Sequence, residues 1–164
     1  MAVWTLKMNF IDKPNSFQHC ITNGIIGIGW GLADGTEKPS TVYEYKKLRT
    51  APMTRQLSIA LNRMEKMNSN DYVWTVDTLS AIPTYYLCKL QSSYEYFGKD
   101  IQETCGIANG FRCSYHAVKS EELIPSSVIR YLNGKGLIFE IVNDNEITAT
   151  KSIATAVSSI AEKK

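Results

Sequence analysis

The chain has little of what most enzymes use. It holds two histidines and four cysteines in 164 residues, and no two cysteines have the CxxC spacing. A structural zinc site usually takes its ligands as two close pairs. Cys20, Cys88, Cys105 and Cys113 therefore read as reduced, partly buried thiols of a cytoplasmic protein, with Cys105, Cys113 and His116 as the one alternative ligand set. There is no GxSxG, no P-loop, no GxGxxG and no HExxH. The glycines of IIGIGWG run G-x-G-x-G and lack the spacing of a dinucleotide site. His19 and Cys20 adjoin on one short helix, so their side chains point about 100° apart and do not form a nucleophile dyad. Asp71 and Asp77 share a strand face but stand roughly 20 Å apart by strand rise, too far to share a metal. No catalytic residue, metal or cofactor is expected. No apolar run approaches the ~20 residues of a membrane-spanning helix, and MAVWTLKMNF lacks the pattern of a secretory signal.

Charge of one sign is also missing. The net charge is +2, less than a general polyanion binder usually carries. Its distribution is uneven. Between Glu44 and Lys66 stand six bases, Lys46, Lys47, Arg49, Arg55, Arg63 and Lys66, against two acids. A local basic face or a solvated helix surface both fit that run.

What is present is an ordinary globular composition, 44% hydrophobic and 21% charged, with alternating apolar patterns. Ala2 to Asn9 reads as a strand with Val3, Thr5 and Lys7 on one face and Trp4, Leu6 and Met8 on the other. A short helix follows from about Ser16 to Thr22. Ile25 to Ile28 is wholly apolar and reads as a central, buried strand. Thr41 and Glu44 have capping-box spacing, and Leu57, Ala60, Leu61 and Met64 form a helical stripe. Tyr72 to Asp77 and Thr84 to Leu90 read as a hairpin, Gly98 to Gly110 as a loop, and Arg112 to Lys119 as a strand. A short helix from Ser126, a last strand from Leu137 to Val142 and a terminal helix complete the chain. The fold class is α+β with a curved mixed sheet or small barrel. Residues 1–150 form the domain, and residues 151–164 form a C-terminal helix that packs on it or leads onward.

The aromatic residues point to a ligand. Trp30 stands between two glycines at a strand end, where backbone can approach a partner closely. Tyr72 and Trp74 share a face of the hairpin, and Tyr85, Tyr86, Tyr94 and Tyr96 follow. With Asn9, Thr75 and Asp77 nearby, such a set can hold a flat polar ring by stacking and edge hydrogen bonds. The same residues also suit a core.

The order of Lys7-Met8-Asn9, IIGIGW around Trp30, NDYVWT, YYLCKL, YHAVKS and LIFEIV resembles the EVE and YTH families of PUA-like domains over roughly Val3 to Val142. It is most similar to N-terminal domains of modification-dependent restriction proteins. Asn70 stands where those families often have glycine, Cys88 replaces another glycine, and Val118-Lys119-Ser120 lacks a tryptophan often found there. The resemblance implies a barrel-like sheet and a pocket for one modified base, flipped from a duplex or taken from a single strand. It implies Trp30 as one cage wall and Lys7, Met8 and Asn9 at the base edge. Trp74, Tyr94 and Tyr96 are candidates for the second wall, and Asp77 is a further polar contact. Phosphates would meet Lys89, Arg112, Lys46 and Lys47, with Lys7 and Lys89 nearest the rim. The implied function is a non-catalytic module that reads a modified base, with DNA as partner and a nuclease or NTPase effector elsewhere, as in restriction or phage defence. The competing reading is an assembly domain that keeps the fold without the pocket.

Overall fold

In a computed structural model, which describes residues 1–8 and 15–162, the elements follow the order β1 (Val3–Leu6), α1 (Ser16–Asn23), β2 (Ile25–Ile28), α2 (Val42–Leu48), α3 (Arg55–Met64), β3 (Tyr72–Asp77), β4 (Thr84–Leu90), β5 (Glu95–Tyr96), α4 (Lys99–Cys105), β6 (Asn109–Val118), α5 (Ser126–Asn133), β7 (Ile138–Glu140) and α6 (Asp144–Glu162). The strands join in one mixed sheet ordered β2-β6-β4-β3-β1-β7, with β5 paired to β6. β1 and β3 run parallel and the other pairs antiparallel. The fold is α+β, as the sequence implies, with a curled sheet and helices on both faces.

Strand alternation divides the interior in two. Trp4, Leu6, Met8, Val73, Cys88, Leu90, Phe111 and Cys113 point to one face, where residues of α1, α2, α3 and α4 cover them. Val3, Trp74, Val76, Tyr85, Leu87 and Val118 point to the other, beneath α5, with Ile147, Ile153 and Ala154 of α6 packed against them. The boundary expected near residue 150 therefore falls inside a helix that starts at Asp144 and docks on the second core. Trp74 Nε1 donates to Thr150 Oγ1 at 3.0 Å and ties that helix to the sheet.

Local rules explain most boundaries. Thr41 caps α2 by accepting from Glu44 N, while Glu44 Oε2 accepts from Ser40 N and Ser40 Oγ at 2.8 and 2.9 Å. That is a capping box shifted by one residue at its acidic end. Thr54 caps α3 by accepting from Leu57 N. Asn70 takes φ +76°, a left-handed conformation that asparagine adopts more readily than most residues other than glycine.

Two readings need correction. Ile25–Ile28 is fully buried but lies at a sheet edge, paired only to β6. A wholly apolar strand requires cover on both faces, and helices supply that cover without a second neighbouring strand. Gly98 to Gly110 is not a loop. Gly98 and Gly106 flank α4 as N-cap and C-cap, Ile101 and Cys105 turn inward, and β6 begins at Asn109. The polar residues between them hide a helix too short to show a clear period.

Candidate functional site

The segment after β2 carries the strongest local constraint. Trp30 has φ +61°, a conformation that costs a non-glycine residue about 1–3 kcal/mol and persists only where its surroundings enforce it. Three side chains do so. Asn109 Nδ2 donates to Gly29 O at 2.9 Å. Tyr45 OH donates to Trp30 O at 2.6 Å. Leu32 N donates to Tyr96 OH at 2.7 Å. These anchors come from β6, α2 and β5, so three elements grip three of four consecutive residues.

The anchors are themselves held. Tyr94 OH donates to Asn109 Oδ1, which fixes the amide whose other end grips Gly29. Gln102 Nε2 donates to Tyr96 OH at 3.0 Å and to Phe97 O at 2.8 Å. A Cβ on Gly31 would lie 2.1 Å from Gln102 Oε1, so the glycine leaves room for the Gln102 amide in its present place. Arg49 Nη1 donates to Tyr45 OH at 3.2 Å, while Arg49 Nε is buried without a partner. The Tyr45 and Tyr96 rings lie 6.0 Å apart. Burial raises the pKa of Tyr45 and that of Tyr94, so both hydroxyls stay protonated. Trp30 is half-buried against the first core. Of three tryptophans it alone reaches solvent to any extent, since Trp4 and Trp74 are 2% and 0% exposed.

Tyr94 also borders a groove of about 310 Å³ formed with Ser40, Thr41, Tyr43, Met64, Asn68 and Ser93. Trp30 is not among its lining residues.

The residues singled out in the sequence do not converge on one pocket. Thr5 stands opposite Trp74, so the parallel β1 carries Lys7 and Met8 toward the Asp77 end of the sheet. β6 pairs with β4 from Val118 down to Cys113 and then with β2 from Arg112 to Asn109. Trp30, just beyond Ile28, therefore lies at the opposite end, with Tyr94 and Tyr96. Asp77 Oδ1 accepts from Leu79 N at 2.9 Å at the hairpin turn. Met8 is 4% exposed and belongs to the core. Trp74 cannot be a cage wall. The two-residue period places it on the other face of the sheet from Trp30, fully buried and bonded to Thr150. Asn9 lies outside the described residues.

The basic candidates divide similarly. Lys46 Nζ donates to Asn62 Oδ1 and pairs with Glu65 at 3.2 Å. Arg112 makes a two-pronged pair with Glu95 at 3.0 and 3.1 Å. Lys89 lies on the outer face, 5.9 Å above the Tyr72 ring. Lys7 Nζ donates to Gly134 O at 2.8 Å. Lys47 lies 4.4 Å over the Tyr43 ring on exposed α2, and among the described residues neither it nor Lys89 pairs with a carboxylate or a carbonyl.

Sequence reasoning missed Tyr45, Gln102 and Asn109. Tyr45 carried a signal, since it follows Val42 at i+3 on the buried side of a capped helix. Gln102 and Asn109 carried none, because the stretch that holds them reads as loop.

Catalysis finds no support in the thiols. All four cysteines are buried and free, and burial pushes Cys20, Cys88 and Cys105 up, away from the reactive thiolate. His19 is exposed and Cys20 buried, which separates that pair as helix geometry requires. Among the described residues no group of His, Cys, Asp and Glu is placed to hold a metal. No described helix is long and apolar enough to cross a membrane.

No family model matches the chain, and no curated protein matches it. Among solved structures it is similar to the YTH domain of a Zygosaccharomyces rouxii protein in complex with N6-methyladenosine RNA. The identity is 17%, the TM-score 0.43, and the match covers 94% of this chain and 85% of that one. The α+β class rests on the sheet order and connectivity described above.

Proposed function

We propose that the chain is a non-catalytic nucleic-acid-binding module that holds one modified base, of a DNA strand in the first instance, against Trp30. The observation that carries this reading is the indole itself. It is half-buried, with part of its surface open to solvent, set on a left-handed backbone, and gripped through Gly29, Trp30 and Leu32 by three separate elements. A strained residue with that much support is a rigid platform, and rigidity keeps the ordering cost of stacking low. Tyr94 and the groove beside it offer neighbouring space for a flanking nucleotide. The resemblance to readers in modification-dependent restriction proteins agrees with this use. In that setting cleavage or motor activity belongs to a separate nuclease or NTPase in the cytoplasm.

The accessible indole gives the test. Trp4 and Trp74 are buried, so quenching of intrinsic fluorescence by an added base reports on Trp30. Titration with methylated and unmethylated nucleosides, then with oligonucleotides carrying them, should quench the native protein and not Trp30→Phe. Equal quenching by modified and unmodified ligands would remove the modification from the proposal.

An assembly domain is the second reading. Its support lies at the far end of the sheet, where Leu79 and Ile82 of the hairpin turn are 45% and 75% exposed. A concentration-dependent mass by light scattering, lost in Leu79→Ser/Ile82→Ser, would favour it.

A further inference from the structure

A column of alternating cations and rings lies along the β7 edge, away from Trp30. The Arg63 guanidinium sits 4.8 Å over the Phe139 ring. Phe139 stacks on Tyr131 with centroids 4.5 Å apart and planes 13° from parallel. The Arg130 guanidinium sits 5.2 Å over Tyr131. Two guanidinium groups are thus held on opposite sides of a stacked aromatic pair. Arg63 is steadied further by donating to Ile138 O. Gly136, at φ +97°, presses so close that a Cβ there would lie 2.8 Å from the Phe139 ring, which pins the ring from the loop side.

Two lysines extend the patch. Lys7 Nζ reaches Gly134 O at 2.8 Å, in the turn that also carries exposed Lys135. Gly134 N in turn donates to Tyr131 O. Arg63 and Arg130 thus flank one ring pair, and Lys7 bonds the turn that follows Tyr131 and carries Lys135. The ion pairs among the described residues are Lys46–Glu65, Lys99–Asp34 and Arg112–Glu95, and none involves these four. Glu146 senses the charge of Arg130 and Glu140 is exposed on β7, but neither comes within ion-pair distance of the four cations. Elsewhere Lys46 and Arg112 are neutralised by carboxylates, while Arg49 in the Trp30 clamp donates to the Tyr45 hydroxyl.

We propose that this Arg63–Phe139–Tyr131–Arg130 column, with Lys7 and Lys135, is a phosphate-backbone surface for a single nucleic-acid strand. Guanidinium forks suit phosphate oxygens, and each Arg keeps N–H donors beyond its present contacts. The ring faces are occupied by each other and by the two guanidinium groups, so no base can stack there. The surface reads charge and spacing, and carries no base information. An acidic peptide would meet the same cations. The strand is favoured because guanidinium forks held by stacking present paired N–H donors that suit phosphate oxygens, and because the inference rests on the base-binding reading of Trp30. The two surfaces lie at opposite ends of the sheet, so a bound strand long enough to reach both would contact each.

The experiment is fluorescence anisotropy of labelled single-stranded oligonucleotides, modified and unmodified, across a series of salt concentrations, with the full chain. Native protein should show a linear fall of log affinity with log salt. Arg130→Gln and Lys135→Gln each should lower that slope by about 0.7, the release expected per single-strand phosphate contact, and should weaken both oligonucleotides alike. Circular dichroism of these exposed variants checks folding. Trp30→Ala should keep the slope and lose only the preference for the modified strand. An unchanged slope in the Arg130→Gln/Lys135→Gln double variant overturns the surface, even where the modification preference survives. Polyglutamate competing as well as the oligonucleotide overturns it in favour of an acidic protein partner. A reduced slope with no modification preference supports the surface and sinks the Trp30 reading instead. No binding of any oligonucleotide overturns both.

Discussion

The two ends of the sheet are built on opposite plans. At the Trp30 end, polar groups turn inward on one another. Asn109 is used at both ends of its amide, Tyr96 both accepts from Leu32 N and receives Gln102, and Arg49 donates to the Tyr45 hydroxyl. At the β7 edge, four cations have no carboxylate within ion-pair distance, and the rings between them act as spacers. A closed network holds one side chain in one geometry, which suits recognition of shape. Uncompensated charge on a surface gives attraction that depends on salt and not on sequence. On the proposed reading, the two kinds of work that binding a strand needs are separated in space.

The largest expected effect tests whether the two candidate tryptophans differ as their positions say. Trp74→Ala empties a fully buried site and breaks the bond to Thr150. It should cost about 3–5 kcal/mol of stability, with a melting temperature lower by about 2–4 °C for each kcal/mol in a chain of this size. Any protein that remains folded should bind ligand normally. Trp30→Ala should do the reverse. Melting should change little, and affinity for the modified base should fall roughly ten- to a hundred-fold, the stacking range of about 1–3 kcal/mol. Swapped outcomes would make Trp30 the core residue.

A smaller effect probes the clamp itself. Tyr45→Phe keeps the ring against Tyr96 and removes the hydroxyl that donates to Trp30 O. The loss is that partly buried hydrogen bond and the one the hydroxyl accepts from Arg49 Nη1, about 1 kcal/mol each. Trp30 should become more accessible to acrylamide quenching while Trp4 and Trp74 remain shielded. Unchanged quenching would show that Asn109 and Tyr96 hold the segment without help.

Periodicity made the sheet legible and failed where spatial company decided a role. The two faces of β1 and the hairpin strands followed from alternation, because a two-residue period survives any tertiary arrangement. The same alternation, applied to Trp74 and Trp30, was open to two answers. Facing depends on which strands pair in which direction, and a single sequence does not carry pairing. β2 pairs antiparallel with the Asn109 end of β6, β6 with β4 and β4 with β3, and that series sends Trp30 away from Lys7 and Asp77. α4 went unseen because seven residues between two glycines give too few turns to show a stripe. The clamp went unseen for a related reason. Tyr45, Tyr96 and Asn109 lie 15, 66 and 79 residues from Trp30 in the chain, and only the fold brings them together.

The smallest effect concerns acid, and it falls on the helices behind the basic edge. Glu146, near the start of α6, accepts from Ser127 N at 3.0 Å and Ser126 Oγ at 3.2 Å, and so joins α6 to the first turn of α5. Burial opposes its ionisation, but the hydrogen bonds from Ser127 and Ser126 and the charge of Arg130 outweigh it and hold its pKa below the ordinary value of 4.5. A depressed carboxyl contributes stability that is present above the unfolded value and is lost as pH falls through the folded one. The joint should therefore be intact at neutral pH and weaken once the pH drops below 4.5. Glu146→Gln should melt slightly lower at neutral pH and show a flatter decline through the acid range than the native protein. Glu44, held down by hydrogen bonds from Ser40 on the exposed α2 cap, titrates in the same direction at the Trp30 end. Amide exchange separates the two, since acid should raise exchange in α5 and α6 in the native protein and less so in Glu146→Gln, with α2 unaffected by the substitution. A variant that keeps the full acid decline would place the lability at the Trp30 end, and would make that end the less robust of the two.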